Sequence, residues 1–280
     1  MDNNIVKKSK NIFIYLISFV SSAVGILLNF FLARILEAEI YGKIQYFVAL
    51  ATTCSQFMIL GLNTFLIREA KNEKQNGDVL NKCLSLYFAI VIFAFPIIWF
   101  VLSNYIANTK SNHYLTLIVI IMAILMGVNA LVSSFFQGSG KYQLKVFFEN
   151  LLPKATMFIL ALVFMLLGKI NNFAKNYLLF YIGIYSLVAI PLLFIFYKKI
   201  IFSFTKSELM TIAFFFGITL TYSLGNNLTI ILQEGLYKNE IALAIISVSI
   251  SIVSLVKVIS AVLDNMIKPI FAKKKRENDI

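Results

Sequence analysis

Apolar residues gather along this chain in long runs, separated by short polar segments. Eight such runs are approximately Ile12 to Ala33, Ile44 to Ile67, Leu84 to Ile106, Leu115 to Gln137, Leu151 to Gly168, Tyr177 to Tyr197, Leu209 to Leu232 and Ile241 to Leu263. A helix needs about 20 largely apolar residues to cross a hydrocarbon layer of about 30 Å, so the pattern predicts about eight transmembrane helices. The first run is too long for the apolar core of a signal peptide and ends in LARILEAEIYG with no small-residue cleavage site, so it is expected to stay as a helix.

Composition agrees with that pattern. Hydrophobic residues make up 60% of the chain and charged residues 14%, against about half and about a quarter in soluble domains. The bilayer is therefore the expected solvent, and the fold class is an all-α integral membrane protein. The net charge of +12 suggests either nucleic acid or cytoplasmic loops, and the placement of the charges decides between them. With the N-terminus inside, seventeen lysines and arginines fall in cytoplasmic segments, including Lys141 and Lys145, and six fall on the opposite face. This split predicts cytoplasmic termini, accounts for most of the charge, and leaves membrane lipid rather than nucleic acid as the surroundings. Cys54 and Cys83 sit in apolar stretches and His113 is the only histidine. No metal, cofactor or disulfide is expected, since such sites need clustered ligands.

Polar residues at helical spacing mark the faces that look inward. Gln45, Thr52, Gln56 and Asn63 fall within about 40° of arc at 100° per residue. In the first helix Ser18, Ser22, Gly25 and Asn29 repeat the idea. In the seventh Thr219, Ser223, Asn226 and Gln233 share a side with Asn227 on its flank, and the fourth adds Asn129, Ser133 and Gln137. Two readings stand side by side: these residues glue helices together, or the amides line a water-filled pathway. Lys257 lies inside the eighth run, where a lysine costs about 2.5 to 3.5 kcal/mol near the bilayer centre. It either snorkels to the surface or places a cation in a cavity suited to phosphate or pyrophosphate. Arg34 and Lys154 are placed nearer the interfaces, as anchors.

Catalytic motifs are missing from this picture. The segment GSGK at Gly138 to Lys141 departs from the phosphate-binding loop at Phe135 and Tyr142 and follows an apolar helix rather than a strand. The acidic residues expected outside are scattered over short turns, so no general acid or base is set up. The chain reads as no enzyme.

The stretch FLARILEAEIYGKIQYFVAL with LGLNTFLIREA, at Phe31 to Leu50 and Leu60 to Ala70, resembles the first two helices of the Wzx-type polysaccharide-export flippases. The matching positions are Arg34, Tyr41, Gly42, Gly61, Leu62, Arg68 and Glu69. FFQGSGKYQ at Phe135 to Gln143 is similar to the family's turn after its fourth helix, and IKPIFAK at Ile267 to Lys273 to the end of its eighth. The resemblance implies the multidrug/oligosaccharidyl-lipid/polysaccharide exporter fold, two six-helix lobes about a central cavity of alternating access. Since that family normally has twelve or more helices, residues 1–200 would form the first lobe. Residues 201–280 would form the opening two helices of the second, with a basic tail.

The implied function is the flipping of undecaprenyl-pyrophosphate-linked oligosaccharide across the bacterial cytoplasmic membrane for surface polysaccharides such as O-antigen. A coupling ion and the polysaccharide polymerase or assembly machinery are the further partners. Lys257 would meet the pyrophosphate, with Arg34, Arg68 and Lys154 as weaker cationic candidates. The pathway candidates are Gln45, Thr52, Gln56, Asn63, Asn29, Asn226, Asn227 and Gln233. Rival readings are a multidrug or cation antiporter of the same superfamily, which would favour buried carboxylates in the first lobe where none looks well placed, a non-transporting remnant, and a membrane glycosyl polymerase.

Overall fold

A computed structural model describes the backbone of residues 3–70, 76–106, 112–237 and 239–253, and the side chains of these except 3–15, 76, 105–106, 112, 222–224, 226 and 234–237. The described residues form helices and no strands. In chain order they are α1 (Asn3–Ile35), α2 (Ala38–Ile59), α3 (Leu62–Glu69), α4 (Asn76–Ile106), α5 (Asn112–Gly138), α6 (Tyr142–Val146), a π-helical turn (Phe147–Leu151), α7 (Leu152–Leu166), α8 (Ile170–Phe196) and α9 (Lys206–Tyr237). A tenth helix, α10, is described over Glu240–Val253.

Five stretches are long and apolar enough to cross a membrane: Leu16–Ile35, Gly77–Asn104, His113–Gly138, Tyr142–Leu166 and Ile170–Phe196. The bent pair of α2 and α3 makes a sixth if it counts as one span. This fits an all-α, multi-pass membrane protein. The described parts of all eight apolar runs fall on helices, and five or six of these qualify as spans among the described residues. The 32-residue α9 is not counted among them; the side chains of 222–224, 226 and 234–237 on that helix lie outside the described residues. The eighth run is described only to Val253.

The second run is broken in two. Leu60 and Gly61 both adopt left-handed backbone, at φ 49° and 78°, and the chain turns by 56° between α2 and α3. Glycine takes that conformation without strain. Gly61 also meets α9, where a Cβ in its place would stand 2.5 Å from the Phe216 backbone nitrogen. The break thus seats α9 directly on α2 and α3.

Packing divides into two apolar cores. One gathers α2, α3, α4 and α5 with the second half of α8 and joins Ile212 and Ile230 of α9 to them. The other gathers Leu28 and Leu32 of α1, Tyr41 and Ile44 of α2, Met157 and Ala161 of α7 and the first half of α8. Helix α1 packs chiefly on α6, the π turn and α7, and meets α2 only lightly. The seam between the cores is where polar side chains collect.

A nonhelical strap, residues 197–205, leads from α8 to α9 and is sewn to α4. Asn81 Oδ1 accepts from the backbone N–H of Lys198 and Lys199 at 2.8 and 3.2 Å, and Ser85 Oγ accepts from that of Ile201 at 3.0 Å. Thr205 then starts α9 with reciprocal bonds. Its Oγ1 accepts from the Glu208 backbone at 3.3 Å, and Glu208 Oε2 accepts from its backbone N–H at 2.7 Å, a capping box.

Candidate functional site

The polar seam is built around the π turn. Such turns widen the helix locally and recur at functional sites. Here the turn carries Glu149 and Asn150 and leads into Lys154 one turn later. Lys154 Nζ donates to Asn150 Oδ1 at 3.3 Å, and its stem lies against Gly25 of α1, where a Cβ would come within 2.9 Å of Lys154 Cδ. Gly25 lies midway along Leu16–Ile35, and Lys154 midway along Tyr142–Leu166. Two independent measures therefore put this lysine at the middle of the helical layer, half-buried among α1 and α7. The sequence pattern, which starts this span at Leu151, set Lys154 nearer its end. The fifth span begins at Tyr142 rather than Leu151, so Lys145 and Glu149 also fall within it.

Glu149 supplies charge beside that lysine. The two side chains interact electrostatically, and Glu149 acts likewise on Tyr185 of α8. Its Oε2 lies 3.9 Å from Lys145 Nζ, beyond hydrogen-bonding length, and has no hydrogen-bond partner although that oxygen is buried. A carboxylate in this position is what the sequence reading did not find in the first lobe. The signal available was the polar recurrence Lys145, Glu149, Asn150, Lys154 inside an apolar neighbourhood.

Helix α5 adds neutral acceptors to the seam. Asn129 Nδ2 donates to the Phe148 carbonyl at 3.0 Å, stitching α5 to the π turn beside Glu149. Asn129 Oδ1, Ser133 Oγ and Gln137 Oε1 are buried without partners, as is Gln56 Oε1 on α2. Buried polar atoms are nearly always satisfied in folded proteins, so unpaired ones point to water or a polar ligand. Along α8, Tyr177, Tyr181 and Tyr185 form a column with ring centroids 5.5 and 5.4 Å apart, the first pair tilted and the second stacked.

The residues singled out in the sequence fare unequally. Gln45, Thr52 and Gln56 are half-buried on α2, whose other faces are largely packed, and Asn63 is half-buried on α3 beyond the 56° bend, so the four do not form one straight stripe. Thr52 Oγ1 bonds back to the Val48 carbonyl at 2.8 Å, and Asn63 Oδ1 accepts from the Thr64 backbone at 2.8 Å, so both are locally satisfied. Asn29 Nδ2 donates to Ser251 Oγ of α10 at 3.1 Å, which is the helix-gluing role. Asn227 and Gln233 are half-buried on α9. Arg34 is exposed, and Arg68 is exposed and pairs with Glu69 at 3.5 Å. The side chain of Asn226 and the whole of Lys257 lie outside the described residues.

Among the described residues no cluster of three or more His, Cys, Asp or Glu could hold a metal ion. Cys54 and Cys83 are free and buried. A second charged site sits at the strap, where Lys82 Nζ donates to Glu208 at 2.8 Å and stands 4.5 Å over the Phe204 ring. Burial opposes the charge of Glu208. Hydrogen bonds from Lys82 and from the Thr205 backbone and hydroxyl outweigh burial and hold its carboxyl below the ordinary carboxylate value.

No family model, curated protein or solved structure matches the chain.

Proposed function

We propose that this protein is a lipid-linked oligosaccharide flippase of the Wzx type, acting in the bacterial cytoplasmic membrane with both termini in the cytoplasm. The observation that carries this reading is Lys154, a lysine midway along its candidate span whose ammonium, among the described residues, donates to a neutral amide. An ammonium so placed is costly unless it serves a charged partner, and a pyrophosphate headgroup is the anion that suits it. The unpaired oxygens of Gln56, Asn129, Ser133 and Gln137 are buried acceptors that sugar hydroxyls could satisfy. Lys257, if it faces the same interior, adds a second cation. Reconstitution of the full chain with a fluorescent polyprenyl-pyrophosphate-linked sugar tests the reading. Movement of the probe between leaflets above protein-free vesicles is the expected result, and no movement would sink it.

One observation favours a second reading, an antiporter of the same superfamily. Glu149 is a carboxylate within the span, as cation coupling would require. Movement of sodium ions or protons without any lipid-linked sugar would select that reading.

A further inference from the structure

Glu149 occupies an electrostatic position that the transport reading leaves unused. Lys145 and Lys154 flank it along the same helical stretch, one on each side. Residues 16–33 of α1 and 114–138 of α5, which pack against the turn, carry no charged side chain. From α8 the titratable group facing it is Tyr185. The local set is thus two ammonium groups and one carboxylate. The carboxylate lies within ion-pair range of Lys145 at 3.9 Å, and its buried Oε2 has no hydrogen bond.

A buried ammonium left without a counter-charge is strongly unfavourable. A carrier that binds an anion at Lys154 therefore faces a difficulty each time the anion leaves, because the empty site must recross the layer with its charge exposed. We propose that Glu149 is a built-in counter-ion, taking the place of the anionic headgroup at Lys154 while the carrier is empty and yielding to it on loading. This inference rests on the flippase reading and names how that site is kept neutral. Displaced by the phosphate, the carboxylate turns toward Lys145, which lies closer to the end of the span and receives the charge there. The π turn is suited to this exchange, since it sets Glu149 between its two lysines, in ion-pair range of Lys145 but with no hydrogen bond holding its Oε2. A ligand must outcompete a carboxylate to enter, so Glu149 also selects for headgroups more strongly anionic than a single carboxylate.

The consequence is kinetic and can be separated from binding. With probe on both leaflets, labelled and unlabelled lipid exchange and the carrier never returns empty. With probe on one leaflet only, each cycle needs an empty return. Glu149→Gln is expected to keep exchange within about twofold and to slow net movement about tenfold. Glu149→Asp, which keeps the charge, is expected to recover most of the net rate. Thermal unfolding in detergent establishes that each variant folds. If Glu149→Gln does not fold, Glu149→Asp alone carries the test, with net movement expected to fall more than exchange. Equal loss of both rates, or loss of neither, overturns the inference. A wild-type chain that neither exchanges nor moves the probe fails differently, since that outcome removes the flippase reading itself.

Discussion

Lys82 donates to both carboxylate oxygens of Glu208, at 2.8 and 2.9 Å, and so joins the start of α4 to the start of α9 across 126 positions of sequence. The pair also closes the strap whose backbone Asn81 and Ser85 hold. A carboxyl whose folded value is depressed contributes stability that is present above its unfolded value, about 4.3. That stability is lost as pH falls through the folded value. The unfolding temperature of the wild type in detergent should therefore fall more steeply below pH ~4.5 than that of Glu208→Gln, the two converging in acid. Because both side chains are partly exposed, the difference near neutrality should not exceed about 1 kcal/mol. Parallel curves would show that the bridge contributes nothing.

Lys154→Met keeps an unbranched stem against Gly25 and removes the charge. The variant is expected to fold, because Glu149 retains Lys145 nearby, and to lose at least about tenfold in movement of a polyprenyl-pyrophosphate-linked sugar. Gly25→Ala should fold as well, since the atoms its Cβ would meet are the flexible end of Lys154. Proteoliposome rates alongside unfolding temperatures check both, and full activity in Lys154→Met would return that lysine to a packing role.

The gross architecture was legible from hydrophobicity because helices in lipid must be apolar over a full span, and among the described residues every run lands on helix. The π turn was not legible. Lys145 and Glu149 dilute the apolar signal at the start of the fifth span, and charges that neighbour one another inside a bundle look in sequence like charges in a loop. Starting that helix at Leu151 made Lys154 seem interfacial, when the added turns from Tyr142 place it at mid-depth. The bend at Leu60 was hidden for another reason, since a leucine at φ 49° carries no compositional mark and only Gly61 beside it hints at a turn. Gln45, Thr52 and Gln56 share α2, but the bend at Leu60 and Gly61 puts Asn63 on α3, off the straight stripe that the spacing predicts. The local bonds at Thr52 and Asn63 depend on side-chain geometry that spacing alone does not fix.

Gly127 of α5 packs on the hydroxyl of Tyr87, which donates to the Ile124 carbonyl at 2.8 Å. A methyl at 127 would collide with that hydroxyl, so Gly127→Ala should destabilise by about 1 to 3 kcal/mol. Removing the hydroxyl takes away the nearest of the colliding atoms, with the ring carbons still at 2.8 and 2.9 Å, and the same substitution in a Tyr87→Phe background should cost less. A double-mutant cycle of unfolding free energies measures this coupling, and additive costs would show that the contact is not made.

Labelling tests the placement of the helices directly. Cys54 and Cys83 are buried at 8% and 0% exposure, so a membrane-impermeant maleimide should leave the folded wild type unmodified and react at two sites after denaturation. That silent background allows single cysteines to be introduced at Lys141 and Lys169, both exposed and bracketing Tyr142–Leu166. If this helix spans the bilayer and the lysine-rich ends face the cytoplasm, Lys169→Cys is labelled in intact spheroplasts and Lys141→Cys only after permeabilisation. The reverse pattern would invert the orientation and exchange the leaflets of the proposed movement. Labelling of both from one side would mean that Tyr142–Leu166 does not cross, which would remove Lys154 from mid-membrane and with it the main support for an anion-carrying interior.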